Sequence, residues 1–244
     1  MKPRIGTCVE IFMEPKNRFI SFLLNCLPFG LGKKLMRHTP EALADMLYDY
    51  KPYMSPRLVE LPFIFKNIGN PPSKILDAGC NWSTVGIQLA SLGHKVWGAD
   101  FNDYQLKHPN FTFIKTDICK TAFDGDFFDY LINISVIEHI GLGYYGDPVS
   151  SADHIAVKEF FRILKPGGAL LLTTHYGMKF ENKSFRIYDN FGIQELLKPF
   201  KSIKTEYFQK TDNSWMPCPE EIATNQGLDE RNRPNGLILI TAKK

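Results

Sequence analysis

From Lys74 onward the sequence alternates short apolar runs with longer segments of helical character, and this rhythm limits the fold more than any other feature. The runs are Ile75–Ala78, Lys95–Asp100, Phe111–Asp117, Tyr130–Ser135 and Ala169–His175. Between and after them, Ser83–Leu92 (closed by Gly93), Ala152–Leu164 and Phe191–Pro199 read as helices. Strands joined through helices pair in parallel, because each crossover returns the chain to the same edge of the sheet. Two last runs, Ile203–Gln209 and Gly236–Ala242, flank a stretch rich in Pro, Asn and Asp and predict a closing antiparallel pair. The expected fold class is α/β: a seven-stranded, mostly parallel sheet with helices on both faces.

The first 70 residues follow a different pattern. Thr39-Pro40-Glu41 supplies a cap, a first-turn proline and an acidic first turn, and predicts a helix through about Tyr50. Ser55-Pro56 repeats the device for a helix toward Ile68, and Gly69-Asn70-Pro71-Pro72 then breaks the chain. The expected organisation is a basic, helical N-terminal segment over 1–70, capping a main domain over 71–244. Residues 1–37 hold seven basic groups against two acidic ones, an excess of +5 in a chain whose net charge is only +3. Such a segment suits peripheral contact with a membrane surface, cover over a substrate cleft, or docking on its own domain. Its apolar run, Phe19 to Leu31, is 13 residues long and broken by Asn25 and Pro28, too short for a spanning helix. The run also begins late and lacks a small-residue cleavage site, so it does not read as a secretory signal. Five scattered cysteines without a C-x-x-C pair suggest reduced thiols and a cytoplasmic setting. No metal-ligand spacing is present, so no metal is expected.

Ligand chemistry concentrates where the first strand turns into a helix. In a sheet of this type the carboxyl edge is where ligands bind, and Asp77-Ala78-Gly79-Cys80-Asn81-Trp82-Ser83 falls there. Gly79 allows close backbone approach, and Asp100 ends the second strand 23 residues after Asp77, near the spacing at which an acid accepts both ribose hydroxyls. Further along, Ile134 to Ile140 follows the fourth strand and carries Glu138 and His139, while Thr174-His175-Tyr176-Gly177 ends the fifth. Both histidines are candidate bases, having reference pKa values near neutrality.

The ordered set Leu76-Asp77-Ala78-Gly79-Cys80, Gly98-Ala99-Asp100, Thr116-Asp117-Ile118, Phe128-Asp129-Tyr130-Leu131 and Arg162-Ile163-Leu164-Lys165-Pro166-Gly167-Gly168 resembles the class I S-adenosylmethionine-dependent methyltransferases over roughly residues 72–178. The resemblance implies a Rossmann-like domain with S-adenosyl-L-methionine as cofactor. It places the methionyl end at Asp77, Gly79, Cys80 and Asn81, the ribose at Asp100 with Phe101 beside it, the adenine at Asp117 and Ile118, and Asn133 at the cofactor's edge. One departure stands out: Asn81 and Ser83 occupy positions where the family usually has further glycines. Asn tolerates left-handed backbone and Ser can cap the helix, and the change argues against a dinucleotide, whose pyrophosphate needs those glycines.

The loop Gly141-Leu142-Gly143-Tyr144-Tyr145-Gly146-Asp147-Pro148 resembles, more weakly, methyltransferase-like proteins of sugar and surface-polysaccharide assembly. Tyr144 and Tyr145 would pack on a sugar face, Asp147 and Glu138 would bond hydroxyls, and Arg186 would engage an anionic group on the acceptor. The expected function is O-methylation of a small hydroxylated acceptor such as a saccharide intermediate, with His139 or His175 removing its proton. A lipid-linked or phenolic acceptor and a non-catalytic, cofactor-binding scaffold are the alternatives. Nucleic acid is disfavoured, because no basic stripe with interleaved aromatics follows the expected catalytic edge.

Overall fold

The computed structural model describes residues 9–15, 48–143, 148–212 and 214–244. Thr7–Ser55 and Pro56–Lys244 form separate compact units. In the first, β1 (Val9–Pro15) pairs antiparallel with β2 (Tyr48–Met54). The helix expected from Thr39 to Tyr50 lies outside the described residues up to 47, and its last three residues are strand: Tyr50 pairs with Met13 and Tyr48 with Pro15. The reason is local. Tyr48, Tyr50 and Tyr53 favour extended backbone, and Pro52 disfavours helix at Lys51 before it.

The second unit opens with α1 (Arg57–Asn67), the helix that Ser55-Pro56 predicts. Five strands then run parallel: β3 (Lys74–Ala78), β4 (Lys95–Asp100), β5 (Phe111–Lys115), β6 (Phe128–Ile134) and β7 (Leu164–His175). Between them lie α2 (Val85–Ser91), a 3₁₀ turn over Ile137–His139, and α3 (Ala152–Ile163). After β7 come a small hairpin of β8 (Phe180–Glu181) and β9 (Arg186–Ile187), then α4 (Asn190–Leu196), which Asp189 caps by accepting from Gly192 N–H at 2.7 Å. β10 (Ser202–Lys210), β11 (Trp215–Pro217), α5 (Glu220–Thr224) and β12 (Gly236–Lys243) complete the chain.

The main sheet has the order β11-β10-β12-β7-β6-β3-β4-β5, eight strands rather than the seven expected. The additional strand is β11, whose Trp215 pairs with Lys210 and Pro217 with Phe208. Three residues ending in proline show no readable alternation. An edge position tolerates that proline because one side of the strand needs no donors. β7 also begins five residues before the expected Ala169, directly after α3.

Apolar periodicity explains the layers. α3 buries Ala152, Ala156, Val157, Phe160 and Ile163, one stripe of a 3.6-residue period. Ala156, Val157, Phe160 and Ile163 join Leu76, Leu131, Leu170, Leu172, Ile238 and Ile240 of the sheet in a single core. The chain winds outward from β3 through β4 to β5, then returns to place β6 on β3's other side. The carboxyl ends of β3 and β6 therefore form the switch point at which an open α/β sheet takes its ligand.

Candidate active site

At the switch point β3 gives way to a tight turn. Gly79 has φ +80°, and its N–H donates to the Ala99 carbonyl at 2.8 Å. A Cβ at Gly79 would sit 2.6 Å from Val136 Cγ1, so the turn and the segment after β6 touch at a point only glycine permits. Asn81, with φ +32°, occupies the left-handed geometry that a family glycine would take. Its N–H donates to Asp100 Oδ2 at 2.9 Å, and Asn102 N–H donates to Oδ1 at 2.8 Å. Asp100 is thus fixed at the end of β4 by two backbone donors, with acceptor capacity left on each oxygen.

The residues fit the cofactor that the motifs imply. Asn81 Oδ1 and Asp77 Oδ2 are buried without a hydrogen-bond partner, two orphaned acceptors at this turn. Burial pushes the Asp77 carboxyl up to about 7, opposed by the Gly86 N–H and the charge of Arg57. Phe101, directly after Asp100, and Trp82, directly after Asn81, leave 57% and 48% of their surfaces exposed. Asp117, exposed just past β5, accepts from Cys119 N–H at 2.8 Å, and Ile118 is buried. Cys80 is a buried free thiol. Asn133 faces inward, its amide donating to the Ala78 carbonyl at 3.0 Å and accepting from Ile137 N–H at 3.2 Å, which ties β3 to the 3₁₀ turn.

The ends of β6 and β7 bring both histidines together, ring centroids 6.4 Å apart and edge to face. His139 Nδ1 lies 2.6 Å from the Ser184 carbonyl oxygen in the β8–β9 hairpin. A carbonyl can only accept, so Nδ1 carries a proton, and in the neutral imidazole the lone pair is then on Nε2. His175 is held differently. Its Nε2 is 3.5 Å from Glu138 Oε1, its Nδ1 is buried without a partner, and burial lowers its pKa against the raising field of Glu138. Glu138 is fully buried and accepts from Thr174 Oγ1 at 3.1 Å. Phe185, beside Ser184, covers His175 edge to face at 5.7 Å and lies 5.7 Å from Phe180. Arg186 is tied into the fold: it pairs with Asp153 and Glu181, both at 3.1 Å, and donates to the Ile140 carbonyl at 3.0 Å. Tyr144, Tyr145 and Asp147 lie outside the described residues.

Several residues at this edge escaped sequence reasoning. Glu60 of α1 is fully buried; its Oε1 accepts from Ser135 Oγ at 2.5 Å and Thr173 Oγ1 at 2.6 Å, and its Oε2 pairs with Arg57. The available signal was Glu60 inside the otherwise apolar run Leu58 to Phe65, three residues after Arg57. Among the described residues, no group of three or more His, Cys, Asp or Glu side chains is placed to hold a metal ion, and no helix is long and apolar enough to cross a membrane.

Comparison with known proteins agrees with this geometry. Residues 76–172 match the methyltransferase domain family. An S-adenosyl-L-methionine-dependent Diels-Alderase from Neonectria sp. (strain DH2) is 30% identical over 102 residues, a match spanning 40% of this chain and 36% of that protein. Among solved structures, Haemonchus contortus phosphoethanolamine N-methyltransferase 2 in complex with S-adenosyl-L-methionine is similar at TM-score 0.55 and 18% identity, covering 75% of this chain and 52% of that one. Burkholderia thailandensis 1,6-didemethyltoxoflavin-N1-methyltransferase, with its substrate and S-adenosylhomocysteine bound, is similar at TM-score 0.52 and 12% identity over 95% of both chains. With the family match falling on the strands that build the switch point, residues 76–172 belong to the methyltransferase domain family, and the unit around them has the fold of S-adenosylmethionine-dependent methyltransferases of known structure.

Proposed function

We propose that this chain O-methylates a small hydroxylated acceptor, such as a sugar or saccharide intermediate, with His139 removing the acceptor's proton. The observation that carries this reading is the 2.6 Å contact between His139 Nδ1 and the Ser184 carbonyl. When bound, the cofactor supplies an electrophilic methyl group on a sulfonium sulfur. The chain must then orient an acceptor hydroxyl and take its proton, and Nε2 of His139 has the lone pair to do so. Asp77, Gly79, Cys80 and Asn81 would hold the cofactor's methionyl end, Asp100 and Phe101 its ribose, and Asp117 and Ile118 its adenine, with Asn133 bracing the turn. The basic segment 1–37 serves acceptor capture or contact with a membrane surface rather than cofactor binding.

The aromatic edge formed by Phe180, Phe185 and His175 also suits a phenolic ring, which makes a phenol the second reading of the acceptor. A scaffold or a reaction other than methyl transfer is the third, favoured by the relative from Neonectria reported above, which is named for a cycloaddition. Incubating the chain with methyl-labelled cofactor and separate saccharide and phenolic pools, followed by mass spectrometry, distinguishes them. Label in a saccharide hydroxyl supports the proposal, label in a phenol supports the second reading, and cofactor binding without labelled product supports the third.

A further inference from the structure

We infer that Arg186 is the positioning residue for His139: it clamps the β8–β9 hairpin onto the 3₁₀ turn and so keeps the Ser184 carbonyl against Nδ1. The inference rests on the reading of His139 as the base. Two segments far apart in the chain meet here, the turn Ile137–His139 after β6 and Ser184 in the hairpin loop, 45 residues beyond His139. A backbone carbonyl can hold an imidazole tautomer only if the segment that carries it is itself held. Part of that hold is local. Asn182 Oδ1 accepts from Ser184 N–H at 2.7 Å and from Phe185 N–H at 3.0 Å, while Asn182 N–H donates to the Phe185 carbonyl at 3.1 Å. These contacts shape the loop without reaching the turn.

Arg186 makes the attachment. It pairs across the hairpin with Glu181, Nε to Oε2 at 3.1 Å, in the register that sets the two residues opposite each other. Its Nη1 reaches the turn, donating to the carbonyls of Ile137 at 3.4 Å and Ile140 at 3.0 Å, which bracket Glu138 and His139. Asp153, buried in the first turn of α3, pairs with the same nitrogen at 3.1 Å and accepts from the Tyr188 hydroxyl at 2.8 Å. The guanidinium thus joins hairpin, turn and helix, as a planar fork with several donors can and a compact ammonium cannot. With 11% of its side chain exposed and two carboxylates beside it, Arg186 acts on the reaction through His139 rather than on the acceptor. Once the clamp is lost the carbonyl no longer fixes the proton on Nδ1, and a neutral ring protonated on Nε2 has its lone pair on the wrong nitrogen.

Nitrogen NMR of the full chain carrying isotope-labelled histidine reads the tautomer directly, at about pH 8, where an ordinary imidazole is neutral. The signals missing from His139→Gln assign the ring. Wild type should show Nδ1 protonated and Nε2 bare. Arg186→Gln should shift the ratio of tautomers toward Nε2–H by roughly 3–10-fold, the scale of one lost hydrogen bond. Arg186→Lys, which keeps a charge beside Asp153 but not the fork, should fall between the two. A lower thermal midpoint with an unchanged tautomer ratio in Arg186→Gln is what a merely structural arginine gives, and it overturns the inference. Should Arg186→Gln fail to fold because Asp153 loses its cation, the double substitution with Asp153→Asn leaves a neutral pair and carries the same measurement. The reading of His139 as base fails by a different result, unchanged methyl transfer in His139→Gln, whereas a wild type already protonated on Nε2 would overturn both.

Discussion

Glu60 on α1 accepts a hydrogen bond of 2.6 Å from Thr173 Oγ1 near the end of β7, 113 residues further along the chain. The helix that precedes the methyltransferase motifs is therefore joined to the strand that carries His175. Replacing Glu60 with Ala would leave Arg57, Ser135 and Thr173 without their common partner at a buried site. We expect a loss of about 3–5 kcal/mol in folding stability, measured by urea denaturation. Glu60→Gln, which keeps the shape and one acceptor, should cost clearly less.

Gly79→Ala should damage the turn twice over, by forcing a Cβ to 2.6 Å from Val136 and by placing alanine at φ +80°. Cofactor affinity and thermal midpoint should both fall. Adding Val136→Ala removes the clash but leaves the backbone strain, so the double variant should recover only part of the loss in a thermal scan with and without S-adenosylhomocysteine.

Asp100→Ala should weaken S-adenosylhomocysteine by roughly 1–3 kcal/mol through lost hydrogen bonds to a charged acceptor. The Asn81 and Asn102 N–H groups would also lose their partner. Affinity for 5′-methylthioadenosine should fall in parallel, since both ligands carry the ribose. A loss confined to one of them would assign Asp100 elsewhere.

Stability should depend on pH through Asp77. Its carboxyl is raised from about 4 in the unfolded chain to about 7 by burial, so the folded state holds a proton that the unfolded state releases between those values. That contribution is full below pH 4 and is lost as the pH rises through 7. Asp77→Asn cannot ionise. Relative to wild type it should therefore be more stable at pH 8 than at pH 5, by a few kcal/mol on the linkage scale, in paired denaturation curves.

His139→Gln should lower turnover by roughly 10²–10⁴-fold with little change in cofactor affinity, the signature of a lost general base. If the large loss appears instead with His175→Gln, the base is the imidazole beside Glu138. A few-fold effect from both substitutions would leave positioning alone to drive transfer.

The parallel core of the fold was legible because buried strands and amphipathic helices differ in period and length, as the runs at Ile75, Lys95 and Tyr130 show. β11 was not, since three residues at an edge carry no period. The helix expected at Tyr48–Tyr50 failed because capping residues upstream say nothing about where aromatic, extended-favouring residues take over. At the site, the acids ending strands and the glycine turn were readable from order and spacing. Arg57 and Glu60 were not, since a polar pair in an apolar helix does not reveal which distant hydroxyls it meets. The tautomer of His139 depends on a backbone carbonyl 45 residues away, and carbonyl positions leave no trace in side-chain identity.

The sheet order places β12 between β7 and β10, so of this sheet's eight strands the one latest in chain order fills an interior slot rather than an edge. Until residues 236–243 leave the ribosome, the growing chain presents β7 with one whole row of backbone donors and acceptors unpaired. This part of the sheet must therefore assemble late, through contacts of long sequence separation, which slow folding and expose a sticky edge meanwhile. A nascent chain stalled before Gly236 would be an aggregation-prone species even though every cofactor motif has already been made.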